Sequence, residues 1–288
     1  MVNHPSIRTG IDIIGTDCLS ARVSTVDSAP KILSVARFAG TEMTHALQSE
    51  TGAVVLSIPD ESVIFKNVSL PQNSTDHREK LAQFELKRML LEKPEEFCCD
   101  IIQTDQPARL LAIVARKEQL EQIWKSVYPA EGNGIHPEGF LARSIALGRG
   151  FLQFCTNDTD RLVCLADFAC DRVSLCFVLG KSIMAPASFD RSQYDLESDL
   201  SLARIAAELK TIINFKLSEL ADRGINITLA KLIICGGQLS ELKKLMVASR
   251  LKVPTEEPFF NRDMLDSPVI ESESSLPNYL VSLGLTVE

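Results

Sequence analysis

Apolar positions along this chain follow two rhythms. Short runs rich in Val, Ile and Leu predict strands at Ile11–Ile14, Lys31–Arg37, Val54–Ile58, Ser62–Val68, Leu110–Ala115, Leu162–Asp167, Val173–Leu179 and Lys231–Cys235. Between them lie segments with a helical period. Ala82, Leu86, Met89 and Leu90 share one helical face, and so do Leu120, Ile123, Trp124 and Val127. The longest helix starts near Ser198. Its Leu202, Ile205, Ala206, Leu209, Ile212, Ile213, Leu217 and Leu220 keep a period of about 3.6 residues, and Gly224 supplies a stop. Strands alternating with helices predict an α/β fold.

A weak internal repeat refines that expectation. Ile11-Asp12 opens a strand–turn–strand unit that continues through Asp17 to Val23. Ala166-Asp167 opens a second, which continues through Asp171 to Val178. Each is an apolar strand reaching an Asp, then a short turn with a second Asp, then another strand. The first copy has one residue more in its turn. Two such units, each heading its own half, predict two related lobes. Residues 69–138 have no counterpart in the second half. They open on the loop signal Leu-Pro-Gln-Asn-Ser-Thr and read helix, strand, strand, helix, as an inserted subdomain.

Composition narrows the function classes. The chain has 288 residues, 45% hydrophobic and 24% charged, which suits a globular protein with two lobes of ordinary size. A net charge of -8 argues against a duplex-binding surface, which needs clustered Lys and Arg; Lys243–Lys244 reads as a solvated helix face. No stretch approaches the roughly 20 apolar residues of a membrane helix, and Met-Val-Asn-His-Pro lacks the basic and apolar regions of a secretory leader. Eight cysteines occur without a C-x-x-C pair and read as reduced thiols, several in apolar runs (Cys164, Cys170, Cys176). The histidines at 4, 45, 77 and 136 are too scattered to suggest a metal site. The sequons at Asn67, Asn73, Asn157 and Asn226 read as chance matches.

With these elements in order, the chain resembles the PilM family, actin-like cytoplasmic proteins of type IV pilus assembly. FtsA and the cytoplasmic domain of GspL are more distant relatives. Gly10-Ile11-Asp12-Ile13 resembles the family's first strand and phosphate-1 turn. Val54 to Pro59 with Lys66 to Pro71 looks like the strand pair closing the first part of lobe one. Phe84-Glu85 with Leu90, and Leu111 to Glu118, resemble parts of the inserted subdomain. Pro137-Glu138-Gly139-Phe140 is similar to the segment entering the interlobe helix. Leu165-Ala166-Asp167 resembles the phosphate-2 strand, Ile233 to Gly237 the adenosine motif, and Leu280 to Leu285 the closing helix.

The resemblance implies lobe one at 1–160, lobe two at 161–275 with a small part around 191–224, and a closing helix at 276–288. Each lobe would carry a mixed five-stranded sheet. An ATP site would draw on Asp12, Gly15, Thr16, Asp167, Glu208, Lys210, Gly236 and Gly237, with Mg²⁺ held by Asp12 and Asp167. The sequence departs from that pattern. Ile14 and Ala169 stand where the phosphate turns need glycines, Ser20 replaces a lysine, and Gln238 replaces a third glycine. Without those glycines the two Asp residues read as turn caps, so no cofactor is expected in preference to ATP and Mg²⁺. Glu138 has two readings, a water-orienting carboxylate or a solvated helix-start glutamate. The implied role is a scaffold, not an enzyme, peripheral to the inner membrane. It would dock the N-terminal tail of a PilN-like bitopic protein in a groove walled by residues 69–138, with Phe84, Leu111, Ile113 and Val114 as available apolar positions. It would touch the membrane only through that partner and bind no nucleic acid. A type II secretion platform is the variant within this class. The rival reading is a switch ATPase or a sugar-kinase relative. An FtsA-like membrane tether is disfavoured, since Leu283 to Glu288 is no basic amphipathic tail.

Overall fold

The computed structural model describes residues 6–26, 29–39, 42, 52–70, 78–89, 93–103, 109–127, 137–156, 160–266, 269 and 273–287. All four histidines, the loop signal after Leu70, Leu90 and the sequons at Asn73 and Asn157 lie outside them. In chain order come β1 (Ser6–Ile14), β2 (Asp17–Val26), β3 (Ala29–Ala39), β4 (Ala53–Ile58), β5 (Val63–Ser69), α1 (Arg78–Met89), β6 (Phe97–Gln103), β7 (Arg109–Arg116) and α2 (Lys117–Val127). Next, β8 (Gly139–Ala142) runs straight into α3 (Arg143–Phe154). The second half holds β9 (Leu162–Asp167), β10 (Arg172–Leu179), β11 (Ser182–Asp190), α4 (Asp199–Asp222), β12 (Leu229–Cys235), α5 (Glu241–Leu251) and β13 (Thr255–Glu256). A 3₁₀ stretch, Glu273–Tyr279, leads into α6 (Leu280–Leu285).

Two five-stranded sheets share one plan, β3-β2-β1-β4-β8 and β11-β10-β9-β12-β13. Each central strand pairs antiparallel with the next strand and parallel with the strand beyond a crossover: β1 with β2 and β4, β9 with β10 and β12. The repeat is closer in space than in sequence. Asp12 lies opposite Leu19, and Asp167 opposite Ser174, so residues 13–18 in one copy match 168–173 in the other. The extra residue expected in the first turn is not there. Instead β1 continues past Asp12 to a tight turn at Gly15 (φ 58°) and Thr16, whereas β9 stops at Asp167.

A second difference concerns β5. The expectation made Val54 to Pro59 and Lys66 to Pro71 a strand pair, but β5 pairs with β7 in a separate three-stranded sheet, β5-β7-β6. Pro59 and the 3₁₀ turn Asp60–Ser62 redirect the chain between the two strands. The small sheet therefore begins at Val63, ahead of residue 69. Its centre, β7, is buried on both faces. Leu110, Ala112 and Val114 meet Ala82 and Leu86 of α1, while Leu111, Ile113 and Ala115 enter the main core. Phe84 is exposed.

That main core is shared by both lobes. Ile145, Leu147 and Phe151 of α3 pack with Ala21 and Ile58 on one side and Val163, Leu165 and Cys176 on the other. The far face of the second sheet, with Cys164, Ala166 and Phe177, packs under Leu202, Leu209 and Ile213 of α4. Strands buried on both faces need no polar alternation, which is why β9 is apolar up to Asp167. Helix α6 lies across α3 with the two backbones in near contact. A Cβ at Gly284 would fall 1.7 Å from the Ala146 carbonyl oxygen, and one at Gly150 would fall 2.2 Å from that of Leu280.

Candidate functional site

The two sheets bring Asp12 and Asp167 to the same buried point, and a third residue joins them. Arg143 is the first residue of α3. Its Nη1 donates to Asp12 Oδ1, and its Nη2 donates to Asp167 Oδ2 at 2.5 Å. The three side chains are 4, 1 and 3% exposed. Nη1 also approaches the Ile13 carbonyl, at 3.4 Å. Asp60 completes the cluster. Its Oδ1 accepts from the Ser144 amide (3.0 Å) and hydroxyl (2.6 Å), so it caps the start of α3.

The charges do not balance. Three carboxylates, Asp12, Asp60 and Asp167, surround one guanidinium. Burial pushes the Asp12 carboxyl up to about 6. Arg143 and the Ser57 hydroxyl pull against that rise, and Asp167 adds to it. Burial also raises Asp60, against hydrogen bonds from Ser144 and Ser174. Burial alone would weaken the Arg143 charge, but Asp12 and Asp167 outweigh it and hold the guanidinium firmly protonated. Among the described residues, one oxygen each of Asp12 and Asp60, and Nε of Arg143, have no hydrogen-bond partner. Such a cluster costs more in desolvation than an apolar replacement would.

The surrounding turns close on themselves. Gln238 donates through Nε2 to the Ala169 carbonyl at 2.9 Å, and Arg191 donates to Gln238 Oε1. Phe168 donates its amide to the Cys235 carbonyl at 2.9 Å. Gly236 (φ 84°) packs against this turn so closely that a Cβ would sit 2.4 Å from the Ala169 nitrogen and 2.6 Å from Asp167 Oδ1. Its lack of a side chain serves contact between two protein segments. On the lobe-one side the Ile13 amide donates to Ser57 Oγ at 3.0 Å.

Of the residues expected at a nucleotide site, Asp12, Asp167 and Gly236 meet here. Gly15 and Thr16 are exposed at the β1–β2 turn. Gly237 is exposed beside Asn278. Glu208 and Lys210 are exposed on α4, and among the described residues no hydrogen bond ties them to Gly236 or the aspartates. Glu138 lies at the other end of the lobe-one sheet. Its amide donates to the Val54 carbonyl and its carboxylate pairs with Arg8 at 2.8 Å, so it does not face the aspartates. The Arg143 guanidinium, a cation bonded to one oxygen of each aspartate, already stands between them where Mg²⁺ would, so the residues present do not fit the ion.

Sequence reasoning missed Arg143, Asp60 and Arg191. A signal for the first was there. Arg143 is the lone charge within Phe140-Leu141-Ala142-Arg143-Ser144-Ile145-Ala146-Leu147, and a cation opening a helix opposes the helix dipole. A buried carboxylate partner is the physical reason to place it there.

No family model matches the sequence, and no curated protein does. The structure, over 97% of this chain, matches 97% of a chain described as the PilM-PilN type IV pilus biogenesis complex, with a TM-score of 0.71 at 16% identity. The fold is actin-like. Looser likenesses, each with a TM-score of 0.48, extend to two further structures. One is the cytoplasmic domain of EpsL, an inner membrane component of the type II secretion system of Vibrio cholerae, at 10% identity over 85% of this chain and 94% of that one. The other is a Bacteroides thetaiotaomicron protein with an actin-like ATPase fold, at 12% identity over 98% of this chain and 96% of that one. Among the described residues no helix is long and apolar enough to cross a membrane.

Proposed function

We propose that this chain is a scaffold at the cytoplasmic face of the inner membrane, in a pilus or type II secretion-like assembly. It docks the N-terminal tail of a PilN-like bitopic protein and works with a degenerate nucleotide site. The observation that carries this reading is the likeness to the PilM-PilN complex, which spans 97% of both chains.

A groove suited to such a tail runs where the small sheet meets lobe one. β6 and β8 are edge strands of their sheets, and both contribute to two neighbouring pockets that share Phe140. One pocket, about 350 Å³, is lined by Cys98, Leu120, Trp124, Pro137 and Phe140. The other, about 340 Å³, carries Arg8, Asp100, Glu138 and Arg149. An extended peptide there would find apolar anchorage on one side of Phe140 and charged partners on the other. Leu111, Ile113 and Val114 are core residues and leave this wall to α2 and β8.

Fluorescence anisotropy with a labelled tail peptide from the neighbouring bitopic membrane protein tests the reading. Trp124→Ala is expected to weaken binding about 30-fold, the effect of losing a ~2 kcal/mol anchor. Unchanged affinity in folded Trp124→Ala and Phe140→Ala variants would place docking elsewhere.

A further inference from the structure

Arg143 stands where local preference is against it. The start of a helix favours an anion, yet a cation opens α3 and is buried there. Helix α3 is also the element common to both lobes, since its apolar side chains enter the core they share. From that position one planar guanidinium reaches the central strand of each lobe, Asp12 on β1 and Asp167 on β9. Without it two buried carboxylates would face each other and drive the lobes apart. We propose that Arg143 pins the two lobes together from within, one guanidinium holding the central strand of each. This rests on the fold alone and not on the docking role.

The geometry favours a pin over an ordinary buried ion pair. The guanidinium fork directs different nitrogens at two carboxylates, which a lysine ammonium on its flexible stem reproduces poorly. The turn beyond Asp167 is braced separately by Gln238 and Arg191, and the strand end at Ile13 by Ser57. Each lobe's end is thus fixed within its own lobe, and the guanidinium joins two stiff ends.

Hydrogen exchange read by mass spectrometry tests the pin. The reporters are the amide of Ile13, bonded to Ser57, and that of Phe168, bonded to Cys235. Arg143→Met alone leaves two buried carboxylates opposed and is a poor folding prospect. The deciding variant is therefore Arg143→Met with Asp12→Asn and Asp167→Asn, which removes both ion pairs and leaves Asp60 on its Ser144 hydrogen bonds as the remaining carboxylate. Both reporters are expected to exchange at least tenfold faster than in the native protein, while amides of β7 keep their rates. Native rates at both reporters in the folded triple variant, or a response in only one lobe, would overturn the proposal. Small-angle scattering of the native protein gives a second decision that needs no variant. Its radius of gyration is expected to match that of the two-lobed structure with Arg143 bridging Asp12 and Asp167. A larger radius would mean that the lobes stand apart, and the pin would be wrong.

Discussion

Gly284→Ala sets two effects against each other. Alanine improves helix propensity over glycine by about 1 kcal/mol, so α6 considered alone would gain. Packing says the opposite. The new Cβ would lie 1.7 Å from the Ala146 carbonyl oxygen and 2.8 Å from the Gly150 nitrogen. Both obstacles are backbone of α3, so no side chain can rotate away. Relieving the closer contact to 3.0 Å means moving α6 off α3 by at least about 1.3 Å. A gap of that size forfeits a large part of the dispersion contact around Leu147, Phe151, Leu280 and Leu283, all buried. Overpacking costs about 1–3 kcal/mol, and this case belongs at the upper end. After the propensity gain, a net loss of roughly 2 kcal/mol is expected. Urea unfolding followed by circular dichroism should show the midpoint falling by about 0.7 M, for a slope near 3 kcal/mol/M. Gly139→Ala, where a Cβ meets nothing within 4 Å, is the control and should stay near the native midpoint. A Gly284→Ala protein as stable as the native one would refute the close-approach argument.

Stability should also depend on pH through Asp12. Its folded pKa, about 6, lies above the ordinary 3.8, so between those values the folded state holds more protons than the unfolded chain. The penalty is absent below about pH 4 and complete above about pH 6; across that window the native protein should lose about 3 kcal/mol relative to Asp12→Asn. Parallel stability–pH curves for the two proteins would contradict this. Lys252, with φ 55°, ends α5 in the left-handed region, so Lys252→Gly should raise the unfolding free energy by about 1 kcal/mol. A drop in stability would show that the lysine side chain contributes more than its backbone strain costs.

Much of this architecture was legible in the residues. The eight predicted strands lie within or overlap observed ones, because fully apolar runs such as Leu162–Ala166 have few other places to go. Strand β11 was missed. Pro186 lies in its middle, and proline argues against a strand unless the strand is at an edge, which β11 is. Strand β6 was placed only as one of two strands, since Cys98, Cys99 and Asp100 are exposed and give it no apolar rhythm. At the candidate site the two aspartates were legible from the repeat. Their partner was marked only as a lone charge in an apolar run, because Arg143 belongs to neither copy of the repeat and comes within reach of Asp12 through the fold of α3 between the lobes.

The contact between α6 and β1 has a consequence in time. Ser282 donates its hydroxyl to the Leu19 carbonyl across a separation of 263 residues, and the Ser282 carbonyl packs onto Gly10. A ribosome adding about 5–20 residues per second makes that interval last roughly 13–50 s. Throughout it, the strands that emerge first wait for a helix not yet made, with Ile11, Leu19 and Leu56 among the side chains already synthesised. Lobe two, whose strands and helices are contiguous from Leu162 to Glu256, has no such delay. The nascent chain should therefore finish its second lobe before its first, the reverse of the order in which the two are translated.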